Sequence, residues 1–86
     1  MKHTTTPQFW ELYYQLPGEI RDLADKNFNL LKMNPRHPSL HFKKVAGLWS
    51  VRVGAHYRAL GLDKEKIVAW FWIGGHDEYD KILAGS

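Results

Sequence analysis

The 86-residue chain contains no cysteine, only four prolines and, from Lys26 to Leu62, no aspartate or glutamate. Without cysteine there is neither a disulfide framework nor a thiolate metal site, and a reducing cytoplasm is the expected setting. Long apolar runs are missing too. The longest, Ile67 to Ile73, is far too short to cross a bilayer, and Met1-Lys2-His3-Thr4 leads into a folded-looking pattern without an apolar signal region, so an intracellular protein with no membrane partner is expected. No internal repeat, low-complexity tract or long linker interrupts residues 1–86, which read as a single domain with one core.

Positive charge fills the acid-free stretch. Lys26, Lys32, Arg36, Lys43, Lys44, Arg52 and Arg58 lie within it, with His37, His41 and His56 among them, although the net charge of the chain is only +3. A field of one sign concentrates a partner of the other, and phosphate backbones are the commonest such partner. The plainer reading is a solvated, solubilising surface.

Thr6-Pro7 offers a helix cap followed by proline at the first helical position, and Phe9, Trp10, Tyr13 and Tyr14 recur at helical spacing as far as Leu16-Pro17. Pro17 opens a second helix whose stripe of Ile20, Leu23, Ala24, Phe28 and Leu31 is apolar, and Asn34-Pro35 closes it. After Pro35-Arg36-His37-Pro38 the pattern changes to strands: Leu40 to Val45, Trp49 to Val53, Tyr57 to Leu62 and Lys66 to Ile73, joined by short turns. Trp49, Val51 and Val53 share one face, leaving Ser50 and Arg52 on the other. The last strand is apolar on both faces, so a second element or a partner chain must cover it. His76 to Leu83 reads as a short terminal helix. The expected class is α+β, with two N-terminal helices on a four-stranded antiparallel sheet, a possible short N-terminal edge strand, and a C-terminal helix.

RNA cleavage by the neighbouring 2′-hydroxyl needs a base for that proton, cations for the crowded phosphate and an acid for the leaving oxygen. Arg52 and Arg58 lie on strands joined by one hairpin, and together they would clamp a phosphate if both point away from the core. The loop at Gly54-Ala55-His56 leaves their register open, and the alternative is that each arginine lies along the sheet or pairs with an acid of the terminal helix. His76 follows Gly74-Gly75 at a helix start, where exposed N–H groups favour an anion; it is a candidate proton-transfer group or simply a cap. Tyr79, three residues on, would donate a hydrogen bond, stack on a base, or pack. His41 and Lys43 share a face of the first strand and Lys44 takes the other; with Arg36 they are candidate phosphate contacts, though at least one lysine is only a solvated charge. His41, His56 and His76 lack the carboxylate or cysteine support of a metal site, so no metal or cofactor is expected.

The segments Leu30-Leu31-Lys32-Met33-Asn34-Pro35, His37 to Val45, Gly47-Leu48-Trp49-Ser50-Val51-Arg52-Val53, His56-Tyr57-Arg58-Ala59-Leu60 and Ile73-Gly74-Gly75-His76-Asp77-Glu78-Tyr79, taken in this order, resemble toxins of the RelE/ParE superfamily of type II toxin–antitoxin modules. The resemblance spans nearly the whole chain and implies a RelE-like fold. It implies a bacterial endoribonuclease that cleaves mRNA in the ribosomal A site, without a metal, and is silenced by a cognate antitoxin, through which alone it meets operator DNA. Arg52 and Arg58 match strand arginines that hold the scissile phosphate, Lys43 and Lys44 match the basic strand before them, and His76 and Tyr79 match C-terminal residues used in proton transfer. The glutamate that some relatives pair with a histidine has no counterpart here. The superfamily also contains gyrase inhibitors and inactive homologues that only bind their antitoxin.

Overall fold

The computed structural model describes residues 1–85. Its elements are β1 (Lys2–Thr5), α1 (Pro7–Tyr14), α2 (Gly18–Met33), a 3-10 turn at Pro38–Leu40, β2 (Lys43–Val45), β3 (Leu48–Val53), β4 (Tyr57–Lys64), β5 (Ile67–Gly75) and α3 (His76–Ala84). The strands form one five-stranded sheet in the order β1-β5-β4-β3-β2. Strands β2 to β5 are the expected antiparallel meander, and β1 joins β5 as a parallel edge strand that makes the sheet mixed. Among the described residues no helix is long and apolar enough to cross a membrane.

Local chemistry sets the boundaries. Thr6 Oγ1 accepts from the Phe9 N–H at 3.2 Å and Pro7 occupies the first turn, so α1 begins where a capped, proline-initiated helix should. Ala46 and Gly47, both at positive φ, make the tight β2–β3 hairpin. The strand expected from Leu40 starts later. Pro38 opens a single 3-10 turn that the His37 ring caps, Leu40 is fully buried, and His41 turns left-handed at φ 46 before Lys43 enters the ladder. His41 therefore does not share a strand face with Lys43.

Helices α1 and α2 cover one face of the sheet. Tyr13, Ala24 and Leu31 pack there on Leu40, Val51, Val53, Ala59, Val68, Trp70 and Ile73. Helix α3 covers part of the other, where Leu60, Trp72 and Tyr79 form a second, smaller cluster. One irregularity makes both layers possible. Between Leu60 and Gly61 the pairing advances one residue on β4 and two on β5, so Trp72 stands opposite Leu60, Trp70 stands opposite Gly61, and Phe71 is extra. Trp70 thus goes to the α1/α2 face and Trp72 to the α3 face, and the doubly apolar β5 finds cover from within the chain.

Gly61 leaves room for this arrangement. A Cβ there would lie 2.5 Å from Val68 Cγ1 and 3.0 Å from the Trp70 ring. Neither neighbour is a loose chain end, so Gly61→Ala is expected to lower unfolding free energy by about 1–3 kcal/mol, read by urea denaturation; unchanged stability would show that the bulge shifts to make room. Between α1 and α2, the Tyr13 hydroxyl donates to Asp25 Oδ1 at 2.7 Å, and this bond, with burial, pushes the phenol up to about 12. A raised phenol value means that the folded state favours the protonated form. The contribution to stability is complete below the usual value of 10 and is lost as pH climbs through about 12. Titration followed by tyrosine-ring carbon NMR should show Tyr13 ionising last, and Asp25→Ala should bring it back toward its usual value.

Candidate nucleic-acid interface

Strand pairing lays out the α3 face in two rows. In one, Lys43 stands opposite Ser50, Ser50 opposite Leu60, and Leu60 opposite Trp72; in the other, Arg52 stands opposite Arg58, and Arg58 opposite Gly74. The register left open by the Gly54-Ala55-His56 loop is therefore the one that puts both arginines on one face, side by side. Gly74 adds no side chain to that row, and its space belongs to the Trp72 indole, whose Cζ2 would lie 2.7 Å from a Cβ at Gly74.

Two like charges facing across a ladder repel, so something must hold them there. The β3–β4 hairpin does: Arg52 Nε donates to the Gly54 carbonyl at 3.1 Å, and Arg58 Nη1 donates to the same carbonyl at 3.3 Å and to the Tyr57 carbonyl at 2.8 Å. Gly54 itself sits at φ 71, which turns its carbonyl under both guanidiniums at a position where a Cβ would strike Leu23. Among the described residues neither arginine has a carboxylate partner, because the ion pairs are Lys44 with Asp63 and His76 with Asp80. Both side chains are half-buried, and most of their ten N–H donors are uncommitted to protein. An oxyanion of planar, multidentate geometry is the chemical complement of such a pair.

His76 stands at the same end of the sheet. It follows Gly75, which pairs with Tyr57, and its backbone N–H donates to the His56 carbonyl at 2.8 Å, tying the start of α3 to the arginine hairpin. Its side chain is 44% exposed, with Nδ1 3.1 Å from Asp80 Oδ2. Tyr79 is placed differently. Only 8% exposed, it packs beside Trp72, and its hydroxyl lies 2.7 Å from the buried Ser50 Oγ, so its ring is not presented for base stacking.

The remaining candidates are spread out. Lys43 is exposed on the arginine face, one row away. Lys44 points to the opposite face, over the Trp49 ring at 5.3 Å, and pairs with Asp63, whose carboxyl that bond holds below the usual carboxylate range. Arg36 and His41 are exposed in the α2–β2 connection, outside the ladder.

No family model and no curated protein matches the sequence. Solved structures do match the fold. The archaeal RelE of a RelE–RelB complex from Pyrococcus horikoshii superposes with a TM-score of 0.67 at 17% identity, covering 86% of this chain and 92% of that one. The fold is that of the RelE/ParE toxins. A YoeB/ParE toxin from Agrobacterium tumefaciens gives 0.64 at 18% identity, over 88% and 99% of the two chains, and the isolated E. coli RelE toxin gives 0.60 at 12%, over 96% and 95%.

Within this RelE/ParE fold two polar residues escaped the reading of the sequence. Ser50 carried a signal, since alternation put it on the non-core face, but only α3 folding back makes it buried. Asp80 carried a signal too, standing four residues after His76, a spacing that stacks two side chains on one helix face. The Ser50–Tyr79 bond joins the terminal helix to the sheet. Ser50→Ala and Tyr79→Phe should each cost about 1–3 kcal/mol by stranding a buried hydroxyl, and the double variant should cost less than their sum; additive losses in thermal unfolding would mean the two hydroxyls are not coupled.

Proposed function

We propose that this chain is the toxin of a type II toxin–antitoxin module and that it acts as a ribosome-dependent mRNA endoribonuclease. The observation that carries the reading is the acid-free pair Arg52 and Arg58, held side by side by one hairpin, with His76 tethered to that same hairpin. Cleavage within RNA by the adjacent 2′-hydroxyl builds negative charge on the phosphate, and a fixed pair of guanidiniums stabilises that charge more than the ground state. His76 transfers the proton at the reacting oxygen. Lys43, one row away, meets a neighbouring phosphate, and Arg36, His41 and Lys44 stand farther from the reaction. Tyr79 contributes by fixing α3, and through it His76. No metal takes part in these roles.

The chain works where ribosomes are, in the cytoplasm. The Pyrococcus neighbour is a toxin solved in complex with RelB, and we extend that relation here: a cognate antitoxin covers the arginine face, with carboxylates that meet Arg52 and Arg58. Operator DNA is then reached only through that antitoxin.

Induction of the chain alone in a bacterial host, with mRNA 5′ ends mapped across several transcripts, tests the reading. Growth arrest with new ends inside codons is expected, and Arg58→Ala should remove both while the protein stays folded, a loss of at least roughly a hundredfold in cleavage. Arrest with mRNA intact and DNA broken would replace this reading by gyrase inhibition; normal growth with folded protein would leave only an antitoxin-binding homologue.

A further inference from the structure

The face that carries Arg52 and Arg58 supplies no carboxylate for a base, yet His76 has one on its own helix. Asp80 stands one turn after His76, and its Oδ2 lies 3.1 Å from Nδ1. At that separation a neutral imidazole carries its proton on Nδ1 and donates it to the carboxylate, because an unprotonated Nδ1 would face the anion lone pair to lone pair. Nε2 is then left with a lone pair and no hydrogen. The residue is held from two further sides: the His76 backbone N–H donates to the His56 carbonyl at 2.8 Å, and its ring lies beside that of Tyr79, centroids 5.7 Å apart, which is anchored on Ser50.

We infer that Asp80 is the positioning residue for His76, fixing the imidazole in its Nδ1–H form so that Nε2 is the atom that accepts the 2′-hydroxyl proton. This rests on the nuclease reading. The acid of the carboxylate–histidine pair comes from the terminal helix, which is why the sheet can remain free of acid around the scissile phosphate. In the reaction Nε2 takes the proton of the ribose 2′-hydroxyl, and the electron pair left on O2′ forms the O2′–P bond. The P–O5′ bond breaks with its pair on O5′, which takes a proton from water, and the hydroxide so formed is neutralised by the proton on His76. The products are a 2′,3′-cyclic phosphate and a 5′-hydroxyl, and Asp80 stays ionised throughout.

The experiment uses full-length protein labelled with 15N in its five histidines, as the parent, Asp80→Asn, Asp80→Glu and Asp77→Asn, with His76→Gln to assign the signals. Two-bond proton–nitrogen correlations, recorded about two pH units above the usual histidine value, show which ring nitrogen bears the proton. The parent should show Nδ1–H at His76. Asp80→Asn should move the population toward Nε2–H, because a carboxamide N–H can donate to Nδ1, and kcat for cleavage on programmed ribosomes should fall by roughly tenfold with KM unchanged. Asp80→Glu should recover part of both readouts. Asp77→Asn, the same charge change in the first turn, should match the parent. An Nε2–H form in the parent, or parent-like tautomer and kcat in Asp80→Asn, overturns the inference. A parent with the Nδ1–H form that cleaves no mRNA overturns the nuclease reading instead, and with it the use assigned to the pair.

Discussion

A single extra residue in β5 governs the molecule. Were the strand regular, Trp70 and Trp72 would point to the same side, and one large side chain would have to find room beside the other. The bulge at Phe71 sends them to opposite sides. Trp70 then completes the core under α1 and α2, while Trp72 seeds the small cluster on which α3 settles. Without that second cluster the terminal helix has no apolar seat, and His76 has no fixed place beside the arginine hairpin. Gly61 and Gly74 belong to the same solution, since each is bare where a tryptophan ring passes closest to the backbone.

Charge is partitioned with equal economy. Arg52 and Arg58 are brought together at an electrostatic cost that the Gly54 carbonyl offsets, and they keep donors free for an anion. Asp63, near the end of β4, is occupied by Lys44 on the far face. Among the described residues, the carboxylate that reaches this end of the sheet comes from α3 as Asp80, and there it touches the histidine and not the arginines. Guanidiniums that met an internal acid would be neutralised before any phosphate arrived.

Much of this fold was legible in the sequence. Thr6-Pro7 and Pro17 marked helix starts, alternation in Trp49 to Val53 sorted the faces of β3, and Gly74-Gly75 marked the start of α3. What escaped is what depends on distant partners. The possible N-terminal edge strand is present as Lys2–Thr5, but its parallel pairing with β5 could not be read from its own residues. The strand expected from Leu40 begins only at Lys43, because Leu40 closes a 3-10 turn as a fully buried side chain and His41 then turns left-handed. At the site, Arg52 and Arg58 could be named from alternation, but their pairing needed the three-residue hairpin loop, and the burial of Tyr79 needed Ser50 across the sheet.

The edge strand pairs with residues far along the chain. Its partners are Ile67 to Trp70, so joining Lys2–Thr5 to the sheet closes a long loop that takes in both helices and the whole meander. The entropy of closing such a loop is lost before the pairing rewards it, whereas each hairpin of the meander joins near neighbours. The parallel edge is therefore the part of the sheet that local contacts help least, and it depends on the meander being in place to receive it.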